Sequence, residues 1–344
     1  MADANQGFGA GRPTLEQVAA AAGVSRGTVS RVVNGSPQVS ESARAAVLQA
    51  VHELGYVPNR AARSLASKRA DSVAFVVSEP ETRVFGEPFF ASLLRGASRE
   101  LSNSGLQMVL VMSWTAREHA QVEQYVHNGH VDGLMLVSVH GDDPLPGRLS
   151  AGGIPVVMVG RPHVTTPDIP YVDSDNVGGA RSATNYLYDQ GRRRIATITG
   201  PQDMSVGIDR LAGYRSALRG RRGVPRDLYA IGDFGRESGE RAMYQLLERE
   251  PMLDGVFAAS DLMAAGALSA LRAKGRRVPE DVAVIGFDDS EVAGHTDPPL
   301  SSVRQPVEFL GREMARMLRI MIEGGDRNVA PLIAPTELVL RGST

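Results

Sequence analysis

Two sets of side chains carry the chemistry open to this sequence. Near the N-terminus, Arg26, Gly27, Ser30, Arg31 and Asn34 share one side of a short stretch whose other side carries Val29, Val32 and Val33. An arginine fork meets O6 and N7 of guanine together, a pairing that discriminates by roughly 1–3 kcal/mol. Farther along, polar residues follow short apolar runs: Ser78, Trp114, Arg161, Asp261 and the pair Asp288-Asp289, with Arg210 after the run 195–200 and its linker. A carboxylate and an arginine facing each other suit a polyhydroxy ligand, because both engage paired hydroxyls in forked geometry. Phe89, Phe90, Trp114 and Phe234 are candidates to cover the apolar face of a ring. Each also has a plainer role: a solvated face for the arginines, core for the phenylalanines, a helix cap for Asp288.

The elements that must position the first set are three short capped helices. Thr14 with Gln17 forms a capping box, and Leu15, Val18, Ala19 and Ala22 fall on one face. Gly23 supplies a turn, Ser25 caps the second helix, and Asn34-Gly35 ends it. Ser40 caps a third helix expected to bury Val47, Leu48, Val51 and Leu54 and to stop at Gly55. Helix, turn with glycine, helix is the helix-turn-helix plan, whose second helix reads base edges with its N-terminal end. Asn59 then caps a helix-prone stretch, 60–67, with no core to bury against. An isolated helix needs roughly 12–15 residues to hold in water, so this one should fold only when supported. Leu65, apolar among basic residues, has the character of a minor-groove wedge; a plain linker is the alternative.

The second set is positioned by a duplicated α/β pattern. The stretches 72–77, 107–112, 133–137 and 155–159 read as strands, and 87–104, 116–128 and 146–151 as helices between them. The run from Val131-Asp132-Gly133 to Ser138 is echoed by Leu253-Asp254-Gly255 to Ser260, and each is followed by a strand led by Ile-Pro or Val-Pro. Two parallel α/β lobes in tandem leave a crevice at the strand carboxyl ends, where ligands bind.

Composition bounds the class. The 344 residues are 42% hydrophobic and 22% charged, with no cysteine and a net charge of −2. That excludes disulfides and thiol chemistry and fits a reducing compartment. Residues 1–69 carry a net +4 and the remainder −6, a basic head on an acidic body, as expected where the head meets a polyanion. No apolar run is long enough for a membrane span, and residues 1–12 lack the apolar core of a secretory signal, so a cytoplasmic location is expected. An enzyme is not expected: the histidines form no ligand pair backed by acids, His119, His127 and His130 read as solvated, and Gly7-Phe8-Gly9 follows no strand. No cofactor and no metal site are expected.

From Thr14-Leu15-Glu16-Gln17-Val18-Ala19 through Gly23-Val24-Ser25, Thr28 to Asn34, Val39-Ser40, Leu54 to Asn59 and Ala62 to Ala66, the sequence resembles the lactose-repressor (LacI/GalR) family. The resemblance implies a dimer whose two heads sit on a near-palindromic double-stranded DNA operator. It places Arg26, Gly27 and Arg31 at specificity positions and Leu65 at the intercalating position of a hinge helix. Thr14, Leu15, Ser25, Thr28, Ser30, Asn34, Gln38, Asn59 and Ala62 complete the implied DNA-contacting set. Gly27 departs from members with a long side chain there, so that base pair should be read weakly or through Arg26. The likeness runs from about Thr14 to Leu340 and implies a periplasmic-binding-protein-like body crossed by the chain near Asp173, Ser302 and Pro331. It assigns Arg210, Asp288, Phe89, Phe90 and Phe234 to effector contact. Family tetramers carry a C-terminal heptad tail; here the sequence stops at Thr344 after a strand expected at 335–340, so a homodimer is expected.

The expected architecture is therefore a disordered stretch at 1–12, a helix-turn-helix head at 13–58, a hinge helix and linker at 59–69, and a two-lobed parallel α/β body at 70–344. The N-lobe comprises about 70–172 and 303–330, and the C-lobe about 173–302 and 331–344. The expected function is a repressor of carbohydrate-utilisation genes released from its operator by a small sugar, a di- or oligosaccharide. The Gly160-Arg161-Pro162 turn, the arginine–acid pair and the rings favour that ligand over a purine corepressor. A sugar-binding protein without DNA function is the other alternative.

Overall fold

A computed structural model describes residues 13–33, 36–57, 69–141, 143–162, 169–221, 223–225, 227–325 and 329–344. Residues 1–12, Asn34, Asn59, Ala62 and Leu65, and the hinge stretch around the last three, lie outside the described residues. The chain divides into two compact units, Met1–Ala70 and Asp71–Thr344.

In the first unit, α1 (Leu15–Ala22), α2 (Arg26–Val33) and α3 (Glu41–Leu54) follow in sequence. Thr14 N–H donates to Gln17 Oε1 at 2.8 Å while Gln17 N–H returns to Thr14 Oγ1, so the capping box is closed at both ends. Gly23 ends α1 at φ 64°, a left-handed conformation that glycine adopts without a Cβ clash. Thr28 N–H donates to Ser25 Oγ at 3.1 Å at the start of α2. Val18, Ala19, Val29, Val32, Val47, Ala50 and Tyr56 close the small core. The third helix differs from expectation: Leu48 and Leu54 are exposed, and the burial falls to Val47 and Ala50 with Val51 at its margin. Leu48 lies about 100° around the helix from Val47, outside the narrow stripe that two eight-residue helices can cover.

In the second unit the described strands form two sheets. The first has the order β11-β5-β4-β3-β1-β2, from β1 (Ser72–Val77), β2 (Gln107–Met112), β3 (Leu134–Val137), β4 (Val156–Val159), β5 (Tyr171–Ser174) and β11 (Leu332–Ala334), all pairs parallel. The second has the order β12-β10-β9-β8-β6-β7, from β6 (Ile195–Thr199), β7 (Tyr229–Ile231), β8 (Gly255–Ala258), β9 (Ala283–Asp288), β10 (Ser301–Arg304) and β12 (Glu337–Val339). Only its β10–β12 edge pair is antiparallel.

Both faces of each sheet are covered, as parallel sheets require. In β1, Val73, Phe75 and Val77 point to α5 (Pro88–Ser102) and α13 (Val307–Ile322), while Ala74 and Val76 meet α6 (Ala116–His127) and α7 (Leu145–Ala151). In the second lobe, α10 (Arg236–Arg249) and α11 (Asp261–Ala273) cover one face, and α8 (Asn176–Asp189) and α9 (Ser205–Leu218) the other. A fully buried Leu, Ile or Phe contributes roughly 1.5–3 kcal/mol, so these four aliphatic layers fix the strand ends from which the polar residues project.

The chain passes between the lobes after Ser174, after Arg304 and after Ala334. All three crossings fall a few residues later than the sequence suggested. β11 pairs with β5, so residues 332–334 join the first sheet rather than the second. The final strand is correspondingly shorter than 335–340, because Pro335 and Thr336 are spent in the crossing.

Candidate functional site

Between the strand carboxyl ends of the two lobes lies a cavity of about 970 Å³, counted out to its open mouth. The first lobe contributes Ser138 after β3, Gly160 and Arg161 after β4, Asp173 in β5, Arg83 on α4 (Glu81–Gly86) and Glu87 just after it, and Phe89 and Phe90 at the start of α5. The second lobe contributes Ser205, Val206 and Arg210 on α9, Phe234, Ser260 after β8, Leu262, Asp288 at the end of β9, and Ser290. Gln305, at the second crossing, lies between them.

Arg210 is the buried cation of this cavity, 4% exposed. Its Nε donates to Asn176 Oδ1 at 2.9 Å and its Nη1 to the carbonyl of Ala259 at 2.5 Å. Nη1 also stands 3.7 Å from Asp288 Oδ1, and the guanidinium lies 3.6 Å from the centroid of the Phe287 ring. Burial draws the guanidinium below its ordinary range, and the surrounding carboxylates Asp288, Asp173 and Asp261 oppose that. Asp288 accepts from Gln305 Nε2 at 2.6 Å; burial raises its carboxyl above the usual range despite Arg210. Asp173 accepts from the amides of Ser174 (2.8 Å) and Arg161 (3.2 Å), and burial pushes it up to about 6.

A second arginine–acid group stands on the first lobe. Arg83 donates through Nε to Glu87 Oε1 at 2.6 Å and through Nη1 to Glu79 Oε1 at 2.5 Å. Burial pushes Glu87 up to about 7; Arg83 counters this, while Asp288 and Glu79 add to it. The guanidinium of Arg83 also sits 5.3 Å from the Phe234 ring of the other lobe. Phe234 reaches that place because Gly200 has no side chain: a Cβ there would strike the ring. Ser138, Phe234 and Asp288 all have positive φ, at 60°, 71° and 114°. Such backbone is costly for residues with a Cβ and gathers at ligand sites.

Of the residues singled out in the sequence, Phe89, Phe90, Arg161, Arg210, Phe234 and Asp288 line this cavity. Phe90 is almost wholly core at 1% exposure, set edge-on to Phe89 with centroids 5.4 Å apart. Trp114 and Asp261 do not line it. Trp114 follows the edge strand β2 and is exposed, edge-on to His140. Asp261 is fully buried beneath the cavity, taking bonds from Ser302 Oγ and from the amide and hydroxyl of Ser290. Ser78 is buried, and Asp289 is held between Arg304 and Arg341, each at 2.7 Å. Sequence reasoning missed Arg83, Glu87, Asp173, Ser138 and Gln305. Ser138 is within reach of the same rule that finds Arg161, position just after a strand; Arg83 lies on a helical turn that no apolar run announces, and Glu87 heads an expected helix without any sign of its partner.

In the head, Thr14, Ser25, Arg26, Gly27, Arg31 and Gln38 are exposed, and Leu15, Thr28 and Ser30 are half-buried. Arg26 Nε stands 3.1 Å from Glu16 Oε1, both side chains largely exposed. A Cβ on Gly27 would find only Ser25 Oγ at 3.7 Å and Arg31 Nη2 at 4.0 Å, so the fold leaves room for a side chain there. Among the described residues no cluster of acidic or histidine side chains could hold a metal ion, and no helix is long and apolar enough to cross a membrane.

Comparison with known proteins is concordant across both units. Residues 14–59 match the family of bacterial regulatory proteins of the lacI type, and residues 184–344 match the periplasmic binding protein-like domain. The HTH-type transcriptional regulator CelR of Thermobifida fusca is 54% identical over 335 residues, covering 96% of this chain and 98% of that protein. The HTH-type transcriptional repressor CytR of Escherichia coli is 34% identical, covering 96% of each. A solved CelR–cellobiose complex superposes with a TM-score of 0.77 at 52% identity, covering 97% of this chain and all of that one (100%). A lac repressor dimer bound to operator and the anti-inducer ONPF gives a TM-score of 0.84 at 27% identity, covering 97% and 99%. An exposed arginine-bearing second helix and a two-lobed body with a polar cavity thus occur together in one chain, and the chain belongs to the LacI family of bacterial regulatory proteins.

Proposed function

We propose that this regulator binds a near-palindromic operator as a cytoplasmic homodimer and leaves it when a β-linked glucose disaccharide of the cellobiose kind occupies the body. The head reads bases through Arg26 and Arg31. The body binds its ligand without transforming it. The observation that carries the reading is the pairing of Arg210 with Asp288, and of Arg83 with Glu87, around one cavity that Phe89 and Phe234 also line. Forked donors and acceptors suit vicinal hydroxyls, and the rings suit the apolar face of a pyranose. A CelR relative of high identity captured with cellobiose supports the same ligand class. A purine corepressor is less well served, since the three arginines and three carboxylates that stand among the apolar lining suit the many hydroxyls of a sugar better.

Ligand coupling of the usual size, about 1–3 kcal/mol, changes operator affinity roughly 5- to 150-fold. The test is isothermal titration of the full chain with cellobiose, maltose, lactose, glucose and hypoxanthine, paired with a gel shift on genomic fragments. Cellobiose should bind and release a palindromic fragment. Binding of hypoxanthine alone, or no fragment preferred over random duplex, refutes the proposal.

A further inference from the structure

Beyond the cavity, the lobes meet at a second place, where one imidazole lies between two carboxylates. His140 follows β3 in the first lobe, and Asp203 precedes α9 in the second. His140 Nδ1 stands 2.9 Å from Asp203 Oδ2, and its Nε2 stands 3.0 Å from Oε1 of Glu79, which follows β1. The backbone joins at the same point: Gly141 N–H donates to the Asp203 carbonyl at 2.7 Å. A neutral imidazole has a single N–H, so one of these contacts would set a lone pair against a carboxylate oxygen; the imidazolium donates to both.

We propose that protonated His140 is a clasp between the lobes, closing them at this rim when it takes up a proton and letting them part when it loses it. The lobe arrangement of the regulator then follows pH as well as ligand. The clasp is independent of which ligand the cavity takes.

Every charged neighbour bears on the proton. Glu79 is buried and also accepts from Ser138 Oγ at 2.5 Å and from Arg83, which divides itself between Glu79 and Glu87. Asp203 is half exposed, and the Trp114 ring stands edge-on, 6.4 Å from the imidazole. The nearby His119 is turned away, its Nε2 on the Ser113 carbonyl at 3.1 Å and its Nδ1 3.6 Å from Asp143. The hydrogen bond to Glu79 does most to hold His140 above the ordinary imidazole range; burial opposes it, and Asp203 adds to it. The pair is therefore complete below the native titration midpoint and lost as pH rises through it.

The sequence contains no cysteine, so two introduced thiols can be labelled without background. Ser150→Cys on α7 and Gln245→Cys on α10 are exposed, one on each lobe, and report the lobe distance by fluorescence energy transfer in the ligand-free full chain. Between about pH 6 and pH 9 the parent should shift to lower transfer efficiency. Asp203→Asn, a change at an exposed site, and His140→Gln should each lose that shift and stay at the low value throughout. Carbon-13 NMR titration of His140 should show its midpoint moving down toward the ordinary imidazole value in Asp203→Asn. An unchanged efficiency across this pH range in the parent, or a shift that persists in His140→Gln, overturns the clasp; so does a His140 midpoint that Asp203→Asn leaves in place.

Discussion

Arg161 and Asp209 face each other from opposite lobes, Nη2 of the arginine donating to Oδ1 of the aspartate at 2.8 Å. Arg161 follows β4 and lines the cavity, while Asp209 neighbours Arg210 on α9, so one wall of the cavity is itself a contact between lobes. A ligand that engages Arg161 acts on the lobe arrangement through the same guanidinium.

Replacing Arg161 with Ala should weaken cellobiose binding. A hydrogen bond to a charged group contributes about 1.5–3 kcal/mol, so the loss should be on the order of 10- to 150-fold. Asp209→Asn, which keeps the guanidinium free to bind, should cost less. Titration calorimetry on both variants checks the order, and equal losses would remove Arg161 from the ligand site.

Arg210 is buried against Asp288, and removing one member of such a pair leaves an uncompensated charge, at a cost of about 3–5 kcal/mol. Arg210→Met should therefore lower the urea midpoint sharply. Adding Asp288→Asn to it should recover a substantial part of that loss, while neither variant binds sugar. A double variant no more stable than Arg210→Met would contradict the pairing.

The pH dependence has a defined sign. Glu87 titrates at about 7 in the native chain against an ordinary 4.5. Between those values the folded state holds a proton that the unfolded state has released, so stability falls as pH rises and levels off above the native midpoint. The penalty is roughly 3 kcal/mol at most. Glu87→Gln should flatten the decline of melting temperature between about pH 5 and pH 8. Parallel curves for parent and variant would show that Glu87 carries no such shift.

At the operator, Arg26→Ala and Arg31→Ala should each cost about 1–3 kcal/mol and relax base preference at one position per half-site. Gly27→Ala should not destabilise the head, because the site has room and alanine is favoured over glycine in a helix by about 1 kcal/mol. Competition gel shifts with single-base operator variants, alongside thermal melts, separate the two effects.

The helices of the head and most strands of the body were legible because caps and apolar runs mark them locally. Thr14 with Gln17 announces α1, and the β-branched apolar run 72–77 reads as a strand. The misreadings share a cause in tertiary context. Leu48 is apolar, yet the helices opposite it are too short to cover it. β11 is a strand of the first lobe because of a partner, Val172, far off in sequence. In the cavity, residues placed by a strand end could be named in advance, as Arg161 and Asp288 were. Glu87 and Arg83 could not, since their role arises from each other and from Phe234 across the cleft.

The positive φ values at Ser138, Phe234 and Asp288 set limits on how this cavity can change its taste. β-Branched residues are excluded from those three corners by backbone sterics whatever ligand is presented. Met158, Val206 and Leu262 line the same space on ordinary backbone, where no such conformational restriction applies. Paralogues that diverge in what they sense would thus keep the corners within a narrow alphabet and do their diversifying between them.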